Sequence, residues 1–153
     1  MGGASVSPAL TLEAVILTLG LKSHPEGGFY REMHRVAAPE GERSPGTAIY
    51  YALGRGDRSH WHRVDAVEIW HFYAGAPLEL SVAADGGSDA EVHILGAAIG
   101  AGQRPQIIVP KNHWQSAVST GDWTLVGCTV SPGFKFSGFE MAPPGWTPGG
   151  GRF

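Results

Sequence analysis

The sequence has a single cysteine, Cys128, so no disulfide can form within the chain and a reducing cytoplasm is the expected compartment. Charge is also scarce: Asp, Glu, Lys and Arg make up 16% of the 153 residues. The formal net charge of −3 leaves no basic surplus, which argues against nucleic acid and anionic membranes as partners. No apolar run approaches the roughly 20 residues of a membrane-spanning helix. The opening MGGASVSPAL lacks a basic segment followed by an apolar one, so no signal peptide is expected. No phosphate loop, nucleophile elbow or dinucleotide fingerprint is found.

Turn-forming residues are abundant instead, with 23 glycines and 11 prolines. They punctuate short β-branched and aromatic segments, which predicts an all-β architecture. The length suits one domain, expected over 8–142. Residues 1–7 are read as frayed, and the Pro/Gly-rich 143–153 as a flexible tail. One helix is expected over 8–19, with Ser7 as cap, Pro8 in its first turn and Gly20 as stop. Its apolar stripe should cover the outside of a sheet. Strands are expected over about 29–34, 47–53, 77–83, 91–96, 106–110 and 122–130, with more in 59–75 and a last one near 134–141. A set of eight or nine short strands suggests a closed or nearly closed sandwich barrel.

The stretch from Ser59 to Gly75, SHWHRVDAVEIWHFYAG, concentrates chemistry. A His-x-His pair, a turn, and then Glu68-x-Trp70-x-Phe72 bring imidazole, carboxylate and aromatic rings to one place. Glu68, Trp70 and Phe72 share one strand face, because side chains alternate with period two. A glutamate beside two aromatic rings needs a partner or the mouth of a cavity. Desolvation there would raise its pKa, making Glu68 with His62 an acid/base pair or, equally simply, a buried structural pair. Other expected contributors are Tyr51, Phe134 and further strand aromatics as an apolar wall, with Gln106 and Gln115 as polar anchors. Arg31 would carry a cation inward for a carboxylate or phosphate, or stay on the surface paired with Glu32 or Glu13. Glu26 would cap backbone amides or reach the pocket. Cys128 reads as a buried, inert thiol.

Two half-motifs lie about fifty residues apart: Gly56, His60, His62, Glu68 and Gly75, then Gly102, Pro110, Asn112 and Gln115. They resemble the signature motifs of the cupin superfamily, a double-stranded β-helix jelly roll. The segments HPEGGFYRE (24–32), TAIYY (47–51), HRVDAVEIWHFYAG (62–75), QIIVPKNHWQSA (106–117) and GCTVSPGFKFSGFE (127–140) resemble its DUF985 (Cupin_5) branch. The resemblance implies a cupin barrel with one short N-terminal helix, a small-molecule ligand and a homodimer. It also implies a metal set of His60, His62, Glu68 and Gln115, suited to Mn, Fe, Ni or Zn. Two departures weaken that set. Five residues separate His62 from Glu68, one more than the pattern permits, and the second-motif histidine falls on Gln115. His113 would replace Gln115 only through a register shift.

Three functions therefore remain open. The first is metal-independent acid/base chemistry of isomerase, epimerase or lyase type on a polar metabolite, with His62 and Glu68 at work and no cofactor. The second is a metal-dependent cupin enzyme, and the third a ligand-binding or sensor protein without catalysis.

Overall fold

A computed structural model describes residues 9–149 of the chain. It contains one α-helix, α1 (Leu12–Leu19), followed by strands β1 (Lys22–Ser23), β2 (Phe29–Arg35), β3 (Thr47–Gly54), β4 (Arg58–Val64) and β5 (Val67–Gly75). Then come β6 (Leu78–Ala83), β7 (Glu91–Leu95), β8 (Gln106–Val109), β9 (Trp114–Ser119), β10 (Trp123–Ser131) and β11 (Phe139–Met141). The strands form a six-stranded sheet, in the order β1-β2-β3-β10-β5-β8, and a five-stranded sheet, in the order β11-β4-β9-β6-β7. Every strand pairing within both sheets is antiparallel.

The helix is shorter than the sequence suggests. The side chain of Thr11 accepts a hydrogen bond from the Ala14 amide at 3.2 Å, so the cap is Thr11 and not Ser7. Ser7 and Pro8 lie outside the described residues. Gly20 ends the helix in the left-handed region (φ 68°), as anticipated. Val15 is buried with Leu21, Ala52 and Leu125, so α1 covers the outer face of the larger sheet over β3 and β10. No described helix is long and apolar enough to cross a membrane.

The two inner sheet faces enclose one core that fills one end of the sandwich. Leu53, Trp70 and Val126 of the larger sheet meet Leu78, Leu80 and Leu95 of the smaller one. The other end is left open between β2, β3, β4, β5 and β10, where His62 and Glu68 face inward among apolar and aromatic side chains. Two departures from regular strands shape that end. Residues 134–141 are not one strand: a short 3-10 turn over Phe136–Gly138 precedes β11. That turn lets the Asp65 amide donate to the Gly138 carbonyl at 3.0 Å. In β4 the pairing with β9 shifts between Ser59 and His62, which is a β-bulge.

The Pro/Gly-rich C-terminal stretch carries no regular structure over 143–149, yet it lies against the barrel. The Trp146 ring sits 4.5 Å from that of Trp114 and 6.0 Å from that of Trp61. The Gly149 amide donates to Gly86 at 3.1 Å. Residues 150–153 of the expected tail, like residues 1–7, lie outside the described residues.

Candidate functional site

The open end holds a cavity of about 310 Å³. Its floor is built from three segments brought together by the barrel. The first is the turn His24-Pro25-Glu26-Gly27-Gly28 between β1 and β2. It is closed by hydrogen bonds from the Gly27 amide to His24 and from the His24 amide to Gly28. This turn docks on the β4 bulge, where the His60 amide donates to the Glu26 carbonyl at 2.8 Å. The Tyr51 hydroxyl donates to the Gly27 carbonyl and holds the turn from inside. Gly27 is required twice over, since its φ is +108° and a Cβ there would stand 2.1 Å from the Arg58 carbonyl oxygen. Gly27→Ala is therefore expected to undock the turn and destabilise the fold by more than about 2 kcal/mol, measurable by urea denaturation.

The docked turn places Glu26 against His62, with Oε2 at 2.9 Å from Nε2. The other ring nitrogen, Nδ1, lies 2.7 Å from the His60 carbonyl, which can only accept. Nδ1 thus carries a proton, and the Nε2–Glu26 contact shares another, giving a buried imidazolium–carboxylate pair. Both residues are buried. Burial pulls the His62 pKa down, but the charge and hydrogen bond of Glu26, with the Glu68 charge, outweigh it and lift it to about 9. Burial opposes ionisation of Glu26, yet His62 holds its carboxyl below the usual range.

Glu68 enters from the opposite sheet. It accepts from Gln115 Nε2 at 2.7 Å, and Gln115 Oε1 accepts from Trp70 Nε1 at 2.8 Å. An indole can only donate, so Trp70 fixes which way the Gln115 amide points and makes it a donor to Glu68. Gln115 is the cross-strand partner of His62, so this chain of bonds ties the two sheets together beneath the cavity. Burial pushes the Glu68 pKa up, the His62 charge pulls it back and Glu26 pushes it up again, which leaves it at about 7. The Cys128 thiol beside it is raised well above its ordinary value, first by burial and then by the Glu68 and Glu26 charges. It is buried and protonated, as expected of an inert thiol.

The family model described as Cupin superfamily (DUF985), Cupin_5, matches residues 13–142. The chain belongs to this cupin family. A crystal structure of a protein from Shewanella oneidensis shares 38% identity and a TM-score of 0.82 with this Cupin_5 chain, covering 88% of it and 85% of that protein. A hypothetical protein from Leishmania major shares 31% identity and a TM-score of 0.79, with 90% of each chain covered. Oxalate decarboxylase of Bacillus subtilis, at 13% identity and a TM-score of 0.60, aligns over 78% of this chain and 29% of its own, and so shares the barrel fold alone. Among curated proteins none matches the chain.

Of the residues expected at the site, His62, Glu68, Glu26, Arg31 and Phe134 do line the cavity of this Cupin_5 barrel. Tyr51, Trp70 and Gln115 stand behind the wall and position others: Tyr51 the turn, Trp70 the Gln115 amide, Gln115 the Glu68 carboxyl. Phe72 packs against the barrel core, and Gln106 is exposed at the start of β8, so neither forms part of the cavity. Tyr50 faces outward among the residues under α1, and Trp61 and Trp114 meet Trp146 away from the cavity. Arg31 reaches only the rim, where its Nη1 donates to the Leu19 carbonyl at the end of α1 at 3.1 Å.

The metal set implied by the motifs is not assembled. The β4 bulge turns His60 away from His62, so His60 is exposed and borders a separate hollow with Pro25 and Trp146. Both ring nitrogens of His62 are bonded, and Gln115 Oε1 is taken by Trp70. Among the described residues no three His, Cys, Asp or Glu side chains are grouped to hold a metal ion. His113 is not brought to the cavity either.

The sequence reading passed over His24. Its Nδ1 accepts from the Glu26 amide at 3.0 Å, so in the neutral ring Nε2 carries the proton, at the cavity wall. Burial mainly, with the His62 charge, keeps its pKa below the ordinary value against the pull of Glu26, so it stays neutral near pH 7. The clue lay in the HPEGG segment itself, where a histidine precedes a turn tight enough to fold back on it.

Proposed function

We propose that the protein is a small-molecule enzyme whose reaction passes a proton through Glu68, of isomerase, epimerase or lyase type, without a metal step. The observation that carries this reading is the Glu68 carboxyl itself. It lines the cavity, is oriented by Gln115 and has a pKa of about 7, the range in which one group both takes and returns protons at neutral pH. His62 was expected to share the proton transfer, but both of its nitrogens are occupied. Its role is that of a fixed cation that stabilises the Glu68 carboxylate, or negative charge developing on the substrate. The Nε2–H of neutral His24, which also lines the cavity, supplies a donor for a substrate oxygen. Glu68 would take a proton from a carbon or oxygen of the bound metabolite and return it at the same or a neighbouring atom, so the residue ends as it began.

Incubation with a pooled metabolite extract in D2O tests this directly. The wild type is expected to place deuterium on one metabolite, as read by mass spectrometry. Glu68→Gln is expected to slow that exchange by at least about 100-fold while remaining folded. A metabolite that the wild type binds but returns unlabelled and unchanged would make the chain a binding protein and sink the catalytic reading.

A further inference from the structure

The mouth of the cavity carries charge of the opposite sign to the chain. The protein as a whole is acidic, with 11 Lys and Arg against 14 Asp and Glu. Yet the cavity draws on Lys22, Arg31, Arg35 and Lys135 against Glu26, Glu32 and Glu68. Glu26 is neutralised by His62, and Glu32 by Arg35, which also donates to the Phe134 carbonyl at 2.9 Å. What is left is Lys22, Arg31 and Lys135 against Glu68 alone. Among the described residues, neither lysine makes an ion pair. Lys22 instead lies over the Tyr30 ring, its Nζ 5.5 Å from the centroid. These cations come from three places in the chain, β1, β2 and the segment after β10, and the barrel brings them to one rim. Below the rim the wall is aromatic, with the Phe134 ring 5.0 Å from that of Phe136 and 5.9 Å from that of Phe139. A concave, partly apolar wall beneath like charges concentrates the field at the mouth and favours an entering anion.

We propose that this rim is an anion-recognition site, at which Lys22 and Lys135, with Arg31 beside them, hold the phosphate or carboxylate of the ligand. The ligand's apolar body then lies along the phenylalanines, and its reacting end reaches toward Glu68. Only that last orientation rests on the acid/base reading. The rim chemistry stands without it. Arg31 and Arg35 are already bonded to the Leu19 and Phe134 carbonyls and act as a fixed frame. The lysines, with long flexible stems, close on the anion.

Calorimetric titration with phenyl phosphate, benzoate and benzyl alcohol tests the proposal, since all three share the ring and only two carry charge. Both anions are expected to bind at least about tenfold more tightly than the alcohol, and to weaken as salt is raised from 20 to about 300 mM. A stronger response to phenyl phosphate identifies a phosphate ligand, and a stronger response to benzoate a carboxylate. Lys22→Gln and Lys135→Gln are both exposed changes; each is expected to weaken anion binding about fivefold, with benzyl alcohol unaffected. Equal affinity for charged and neutral probes, no binding of any of the three, or anion binding untouched in the double variant would overturn the proposal. Carbon-13 titration of the Glu68 carboxyl, assigned with Glu68→Gln, separates this from the catalytic reading. Anion preference with an ordinary Glu68 titration would leave the rim site standing and the acid/base role refuted. A Glu68 titration near 7 without anion preference would do the reverse.

Discussion

Glu26→Ala is expected to lower the melting temperature by about 10 °C at pH 6. The substitution leaves the His62 imidazolium without the carboxylate 2.9 Å from its Nε2, in a site where both side chains are buried. Breaking a buried pair by removing one partner costs about 3–5 kcal/mol, and a chain of this length loses about 2–4 °C per kcal/mol. The deficit should follow pH in a defined way. The folded pKa of His62 is raised from 6.5 to about 9, so its contribution is complete below about 6.5 and fades as pH climbs through 9. The pKa of Glu26 is lowered from 4.5, so its contribution holds above 4.5 and disappears as pH falls through the folded value. The variant should therefore differ most from wild type between about pH 4.5 and 6.5, and converge on it near pH 10. The double variant Glu26→Gln with His62→Gln removes both charges and should regain most of the loss. A deficit below about 1 kcal/mol for Glu26→Ala at pH 6 would show that the pair is not charged in the folded protein.

The opposite outcome is expected for Glu68→Gln, which should stabilise the protein. A carboxyl whose pKa rises from 4.5 to about 7 on folding resists ionisation in the folded state. That cost is absent below about pH 4.5, grows through the interval and is complete above about 7. Glutamine keeps the carbonyl oxygen that accepts from Gln115 and carries no charge. The expected gain is up to about 3 kcal/mol at pH 8 and nothing at pH 4, which corresponds to roughly 5–10 °C in melting temperature at the higher pH. Thermal melts of both proteins across pH 4–9 check this, and a variant less stable than wild type at pH 8 would refute it. With His62, Glu68 also tilts the wild type toward greater stability on the acidic side of neutrality. A buried group kept at a thermodynamic loss is what a working acid or base looks like.

Much of the fold was legible in the chain because strand and turn signals are local. Gly and Pro spaced between β-branched runs marked β3, β6, β7, β8 and β10 to within a residue or two. The pairing of Glu68 with an inward strand face followed from period two. The errors came from places where that period breaks. The His60-x-His62 spacing puts both rings on one face of a regular strand, and the bulge between Ser59 and His62 puts them on opposite faces. The bulge exists because the Glu26 carbonyl takes the His60 amide, a contact between residues 34 positions apart that no local pattern contains. Gln115 looked like a ligand anchor or a substituted metal ligand. It became a spacer between Trp70 and Glu68 only when two sheets faced each other. Phe72 and Gln106 have the right residue types but lie along the barrel away from the open end. The tail residues 143–149 looked structureless by composition, but one tryptophan finds two others.

The sequence by itself determined the all-β barrel, the one helix among the described residues, the inward Glu68 and the buried unpaired cysteine, because each depends on neighbours within a few positions. Tertiary structure alone decided the chemistry of the site. It chose Glu26 as the partner of His62, left the Glu68 carboxyl poised near neutrality, exposed His60 and collected the scattered lysines at one rim. Those outcomes depend on distances across the barrel, where burial and charge act over a few ångströms regardless of separation along the chain.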